Sequence, residues 1–168
     1  MINGNTTKHL EDKTMIEDLV IQKAELKDSA ILTEISKSAK AYWDYPEEWL
    51  QLWENDLIIT IAQIQQHQVF KLTREGEILG FCMIIEEGEL VEIEHLWIRP
   101  KYIGKGLGKY LLTEVLQSVI TKSHTTLSVL ADPNVVGFYE KFGLKTIQYL
   151  PGQPEGRVLP LMQSPLNS

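Results

Sequence analysis

Cysteine occurs once in this chain, at Cys82, so neither an intramolecular disulfide nor a multi-cysteine zinc site can form. Cys82 falls inside an apolar stretch and reads as a small core residue rather than a nucleophile. Without paired thiols, a reducing, cytoplasmic setting is the expectation. No apolar run approaches the roughly eighteen residues of a membrane span, and no secretory signal pattern is present, so no membrane partner is expected. His9, His67, His95 and His124 keep no metal-ligand spacing with one another or with the acids, which leaves no metal site to expect. Positive charge is also scarce: 16 Lys and Arg against 23 Asp and Glu give a net charge of −7, which argues against general nucleic-acid binding. Internal repeats and linkers are missing as well. The chain therefore reads as a polar, aperiodic leader over residues 1–14 followed by one domain over 15–168, long enough to bury a full core.

One scarcity is local. From His95 to Thr113 there is no acid at all, while Arg99, Lys101, Lys105 and Lys109 are basic. Directly upstream the pattern inverts, with five glutamates in nine residues: Glu86, Glu87, Glu89, Glu92 and Glu94. The junction is the stretch ELVEIEHLWIRPKYIGKGLGKYLL, Glu89 to Leu112. An apolar strand, Leu90 to Ile98, is stopped by Pro100, and Gly104, Gly106 and Gly108 then lead into a helix. A glycine-rich loop at a helix N-terminus directs backbone N–H groups and the positive end of the helix dipole at one point, which suits phosphate.

The remaining pattern alternates helix and strand. Leu19 to Ala24 reads as a strand, Asp28 and Ser29 as an N-cap, and Ile31, Leu32, Ile35, Ala39 and Tyr42 as one helical face. Pro46, Glu47 and Glu48 suit the first turn of a second helix carrying Trp49 and Trp53. Tyr42, Trp43 and Tyr45 crowd the bend between these helices, where aromatics either pack or line a pocket. Val69–Thr73 and Ile78–Ile85 form a hairpin about Glu75-Gly76, and a turn at Glu87-Gly88 leads into the Leu90–Ile98 strand. Leu107, Leu111, Leu112, Val115, Leu116, Val119 and Ile120 give the clearest helical periodicity in the chain. A strand over Thr126–Leu130, a helix over Pro133–Phe142 capped by Gly143, and strands over Lys145–Leu150 and Arg157–Met162 complete the order β-α-α-β-β-β-α-β-α-β-β. Hairpin links together with helical links imply an α/β fold with a mixed sheet flanked by helices.

Three loops could explain the glycines. A P-loop requires GxxxxGK before Ser or Thr, and none exists. A Rossmann turn requires GxGxxG near the strand end, but the third glycine comes one place early and Arg99–Ile103 intervene; Asp132 after the next strand is what favours it. The third is a resemblance. GKGLGKYLL after a strand ending before Pro100, followed by ADPNVVGFYEKFGLK, resembles the GCN5-related N-acetyltransferase superfamily over about residues 17–163. In that family's loop pattern Gly106 and Gly108 fill the glycine positions, while Ile103 stands where Gln or Arg is usual.

The resemblance implies an acyl-CoA N-acyltransferase fold, with a mostly antiparallel sheet of about six to seven strands, and transfer of acetyl from acetyl-CoA directly to a primary amine of a small molecule or peptide. It implies pyrophosphate on the N–H groups of Ile103, Gly104, Lys105, Gly106, Leu107, Gly108 and Lys109, and a pantetheine arm along Leu96, Trp97 and Ile98. Asp132 takes the place of the family's asparagine, with Asn134 as its substitute. Glu92 or Glu94, read as one strand face, would be the base, Glu94 being nearer the thioester. Tyr139 would be the acid toward the thiolate, and the Ile98 N–H would hold the oxyanion. His95 reads as a packed residue on the opposite face with Ile93 and Trp97. Tyr42, Trp43, Tyr45 and Arg157 are acceptor-site candidates. A sheet-edge homodimer is an assembly the family permits, and a non-catalytic acyl-CoA-binding module is the alternative function.

Overall fold

The computed structural model describes residues 17–166, so the leader expected over residues 1–14 lies outside the described residues. Seven strands form one sheet in the order β1-β2-β3-β4-β5-β7-β6: β1 Val20–Lys23, β2 Gln68–Arg74, β3 Glu77–Glu87, β4 Leu90–Ile98, β5 Thr126–Leu130, β6 Lys145–Pro151 and β7 Val158–Pro165. Every neighbouring pair is antiparallel except β4–β5. Among the described residues five α-helices accompany them: α1 Ser29–Ala41, α2 Glu47–Leu52, α3 Ile61–Gln66, α4 Leu107–Val119 and α5 Val136–Glu140.

Each sheet face is closed by a different set of helices. Leu107, Leu111, Leu112 and Val115 of α4 join a core with Leu72, Leu79, Cys82, Ile84, Val91, Ile93, Leu127 and Val129. On the other face Leu32 and Ile35 of α1 pack with Ile59, Ile64, Val69, Ile78, Phe81 and Met83. The buried stripe of α1 is Leu32, Ile35, Ser36, Ala39 and Lys40. Ile31 and Tyr42, expected on that stripe, are exposed, because the helix is rotated toward Ser36 and Lys40 and ends before Tyr42. Asp28 flanks α1 without capping it; its carboxylate accepts from the Glu25 N–H at 2.8 Å and from buried Lys71 at 2.7 Å. The segment after Asp132 opens as a single 3-10 turn, Pro133–Val135, and is α-helical only to Glu140. Gly143 follows at φ +85°, the left-handed stop anticipated from its position.

Strand β4 carries the feature that shapes the site. Its pairing to β3 runs Cys82↔Leu96, Met83↔His95 and then Ile84↔Ile93, so Glu94 is an inserted bulge residue. A bulge reverses the alternation of side chains across it. Ile93 therefore joins the α4-side core, whereas His95 shares the α1 side with Trp97 and Glu92. The expected grouping of His95 with Ile93 fails for this reason, whereas the Glu92 and Glu94 carboxyl groups remain neighbours.

Beyond the bulge, β4 and β5 part. Their parallel pairing covers only Leu90↔Thr126, Val91↔Leu127 and Glu92↔Ser128. β4 stays on β3 because Gly80 has no side chain: a Cβ there would meet the Trp97 carbonyl oxygen at 2.5 Å and Ile98 Cδ1 at 2.6 Å. Gly80→Ala should therefore push the end of β4 outward and destabilise the fold by about 1–3 kcal/mol, the usual range for overpacking. Thermal unfolding would show this as a fall of several degrees; an unchanged midpoint would refute the packing argument.

Candidate functional site

The parted strands open a continuous cleft of about 600 Å³. Its walls are β4 from Ile93 to Ile98, the loop from Tyr102 into α4, the end of β5 with Asp132 and Asn134, the face of α5 with Phe138 and Tyr139, and Lys40, Trp43 and Arg157. In the antiparallel ladder with β3, the Arg99 N–H donates to the Leu79 carbonyl at 2.8 Å, which fixes the phase of the hydrogen bonds. Trp97 and His95 thus address β3, and the N–H and C=O groups of Leu96 and Ile98 address the gap that β5 has left.

The loop supplies donors in series. Gly104 and Gly106 sit at φ +83° and +80°, a left-handed conformation that glycine adopts without strain. Among the described residues, none of the six backbone N–H groups from Gly104 to Lys109 makes a hydrogen bond; the first helical bond on this loop is Tyr110 N–H to Gly106 O. The Ile103 N–H is engaged with the Pro100 carbonyl at 3.3 Å and its side chain packs against the α4-side core. Donors for an anion thus start at Gly104. Of the basic island, Lys101, Lys105 and Lys109 are exposed, whereas Arg99 bonds the Ile78 carbonyl and pairs with Glu34.

Midway along the cleft stand the strand carboxylates and two buried aromatic rings. Glu94 lines the cleft; partial burial, the adjacent Glu92 charge and Asp56 hold its carboxyl above the usual range. Tyr139 is 6% exposed, belongs to the core, and its hydroxyl has no hydrogen-bond partner among the described residues. Burial raises its hydroxyl, as it does the Cys82 thiol, which is inert in the core. His95 is 7% exposed and accepts a hydrogen bond at Nδ1 from the Trp97 indole N–H at 2.9 Å, so the neutral ring carries its proton on Nε2.

At the far end lies a group that sequence reasoning missed as a unit. Asp132 receives Lys40 Nζ at 2.5 Å, the Tyr45 hydroxyl at 2.8 Å on both oxygens, the Asn134 N–H at 2.9 Å and its side-chain amide at 3.0 Å, with Arg157 Nη2 at 3.5 Å. Burial raises the Asp132 carboxyl, but Lys40 overrides this and brings it below the usual range; burial also lowers the Lys40 ammonium. The sequence places Asp132 where the family has asparagine, and the structure adds that its carboxylate caps the following turn through the Asn134 N–H. A lysine four residues after Ser36, on the apolar stripe of α1, was the available signal for Lys40. Of the bend aromatics, Trp43 lines the cleft, Tyr45 supports Asp132 from behind, and Tyr42 is exposed. Trp53 is buried and donates its indole N–H to the Gln153 carbonyl at 2.9 Å, docking the loop that precedes Arg157. Among the described residues no group of His, Cys, Asp and Glu could hold a metal, and no helix is long and apolar enough to cross a membrane.

His95 gives a measurable pH dependence. Burial lowers its pKa from 6.5 to about 4. Between these values the unfolded chain binds more protons than the folded one, so stability declines as pH falls from about 6.5 to about 4, by up to about 3 kcal/mol. His95→Gln should flatten that part of a pH series of denaturation midpoints; an identical slope in the variant would count against a buried neutral ring.

Known proteins share this arrangement. A family model described as the acetyltransferase (GNAT) domain matches residues 31–160. The protein named uncharacterized N-acetyltransferase ycf52 of Pyropia yezoensis is 27% identical over 95 residues, covering 56% of this chain and 51% of that protein, so the match spans about half the length of this curated relative. The structure of a GCN5-related N-acetyltransferase from Rhodopseudomonas palustris superposes with TM-score 0.73 at 20% identity, covering 88% of this chain and 95% of the other. The PaiA N-acetyltransferase of Thermoplasma acidophilum, solved in complex with coenzyme A, gives 0.69 at 21% identity, with 88% and 99% covered. With three quarters of its length matched by the family model, the chain belongs to the acetyltransferase (GNAT) domain family.

Proposed function

We propose that the protein is an acetyl-CoA-dependent N-acetyltransferase that moves acetyl directly to a primary amine of a small molecule or peptide. The observation carrying this reading is the run of six unbonded N–H groups from Gly104 to Lys109 opening onto the unpaired edge of β4. The diphosphate of acetyl-CoA suits that run, with Lys105 and Lys109 adding charge. The amide-bearing pantetheine arm suits the free N–H and C=O groups of Leu96 and Ile98, alongside Trp97, as an added strand would. The Asn134 side-chain amide donates to Tyr45 and Asp132, which leaves its carbonyl oxygen for an arm amide. The coenzyme A bound to the Thermoplasma relative supports this use of the cleft.

The chemistry then follows the cleft. A primary ammonium with pKa near 10.4 lies about 3.4 units from neutrality at pH 7, a deficit of roughly 4–5 kcal/mol. Glu94, a carboxylate with a raised pKa on the wall, takes the proton directly or through water, with Glu92 tuning it. The amine nitrogen attacks the thioester carbonyl carbon, and the Ile98 N–H holds the oxyanion as the C–N bond forms. The C–S bond breaks as sulfur collects charge. Tyr139, protonated at rest because burial raises its hydroxyl, donates to that sulfur; its weak acidity makes the proton a late one.

Thiol release from acetyl-CoA across an amine panel tests the activity, and thermal shift with acetyl-CoA beside NAD tests the ligand; stabilisation by NAD alone, or no amine acetylated, overturns the reading. Gly108→Glu should weaken acetyl-CoA binding at least about tenfold in calorimetry, since it adds a carboxylate among the free N–H groups. At this helical position a Cβ meets only ordinary contacts at 3.7–3.8 Å, so folding should survive. Glu94→Gln should abolish the acidic limb of the kcat/KM profile, and Tyr139→Phe should lower kcat about 10–100-fold with KM for acetyl-CoA nearly unchanged. A retained limb in the first variant reassigns the base to Glu92, and unchanged turnover in the second removes the acid.

A further inference from the structure

We propose that the acceptor is an amino acid: a small amine that also bears a free carboxylate, received by Arg157 at the Asp132 end of the cleft. This deepens, and rests on, the acetyl-transfer reading. The first ground is charge. Lys40 and Arg157 both pair with Asp132, and among the described residues no second carboxylate pairs with either, so one negative charge faces two positive ones. All three side chains are only 11% exposed, so water screens that excess weakly.

The second ground is geometry. Arg157 contributes only Nη2 to the group, at 3.2 Å from the Tyr45 oxygen and a long 3.5 Å from Asp132. Its Nε and Nη1 have no hydrogen-bond partner among the described residues, and the side chain lines the cleft. The guanidinium is held over the Trp53 ring at 4.5 Å and the Tyr45 ring at 5.3 Å, which restrains its position. Nε and Nη1 leave the guanidinium on different edges, so either one offers a carboxylate oxygen a single charge-assisted hydrogen bond from a cation held in place.

The same wall excludes the opposite charge. Asp132 already receives Lys40, Tyr45, Asn134 and Arg157, so it has no capacity left for a second ammonium. A diamine reaching this end meets two cations. The amine end lies at Glu94 in the same cleft, which gives the site opposite charges for the two ends of a zwitterion.

The test uses the full chain with matched acceptors: free amino acids, their carboxamides, the decarboxylated amines, diamines, and aminophosphonates of equal length. The expected result is a kcat/KM at least about 30-fold higher for one or more amino acids than for their carboxamides, as removal of a charge-assisted hydrogen bond implies. Arg157→Gln should reduce that ratio to within about threefold, and Arg157→Lys should restore part of it, chiefly through acceptor KM. Carboxamides, simple amines or diamines used as well as amino acids would overturn the proposal while leaving acetyl transfer intact. A preference for phosphonates would overturn the carboxylate assignment. If no amine is acetylated, the transferase reading itself falls. The wild-type ratio decides the matter even if an Arg157 variant fails to fold.

Discussion

The cleft depends on one geometric constraint: β4 must remain bonded to β3 along its length while releasing β5 after three residue pairs. The bulge at Glu94 and the missing side chain at Gly80 together satisfy it. The bulge reorients the strand, and Gly80 lets the strand end lie close against β3. Unpaired strand edges in a protein interior are unfavourable unless something satisfies them. A sheet that opens in its own middle therefore holds polar backbone groups ready for a ligand that carries amides.

Electrostatics divides this cleft along its length. The glycine loop presents six N–H groups beside exposed Lys101, Lys105 and Lys109. The centre presents Glu94 against the buried, protonated Tyr139. The far wall presents Lys40 and Arg157 about Asp132. Each group acquires its character from burial as much as from its neighbours. Burial raises the Asp132 carboxyl, and Lys40 first, with the Asn134 N–H and the Tyr45 hydroxyl, outweighs that and holds it below the usual range. Trp53 links this wall to the loop before Arg157 through its indole N–H, so the C-terminal end of α2 and the last hairpin are positioned together.

Much of this was legible in the sequence. Leu90–Ile98 and Thr126–Leu130 were read with the boundaries the structure has, since apolar alternation and flanking turn residues mark both. The α4 stripe from Leu107 to Val119 and the left-handed stop at Gly143 were legible for similarly local reasons. Other features were not. The bulge leaves no mark in the string VEIEHLW, because one inserted residue preserves composition and changes only which face each side chain takes. His95 consequently looked like a neighbour of Ile93, and the structure puts them on opposite faces.

By itself, then, the sequence determined the order of the strands and of every helix but the short α3, the glycine loop at the start of α4, and the candidate carboxylates and tyrosine, because each is encoded within a few consecutive residues. Only the tertiary structure decided that Lys40, Tyr45, Asp132 and Arg157 form one wall. Lys40 and Asp132 are 92 residues apart, and Tyr45 and Arg157 are 112 apart. No periodicity reports such a meeting, and the charge states of these groups exist only once folding has removed the water between them.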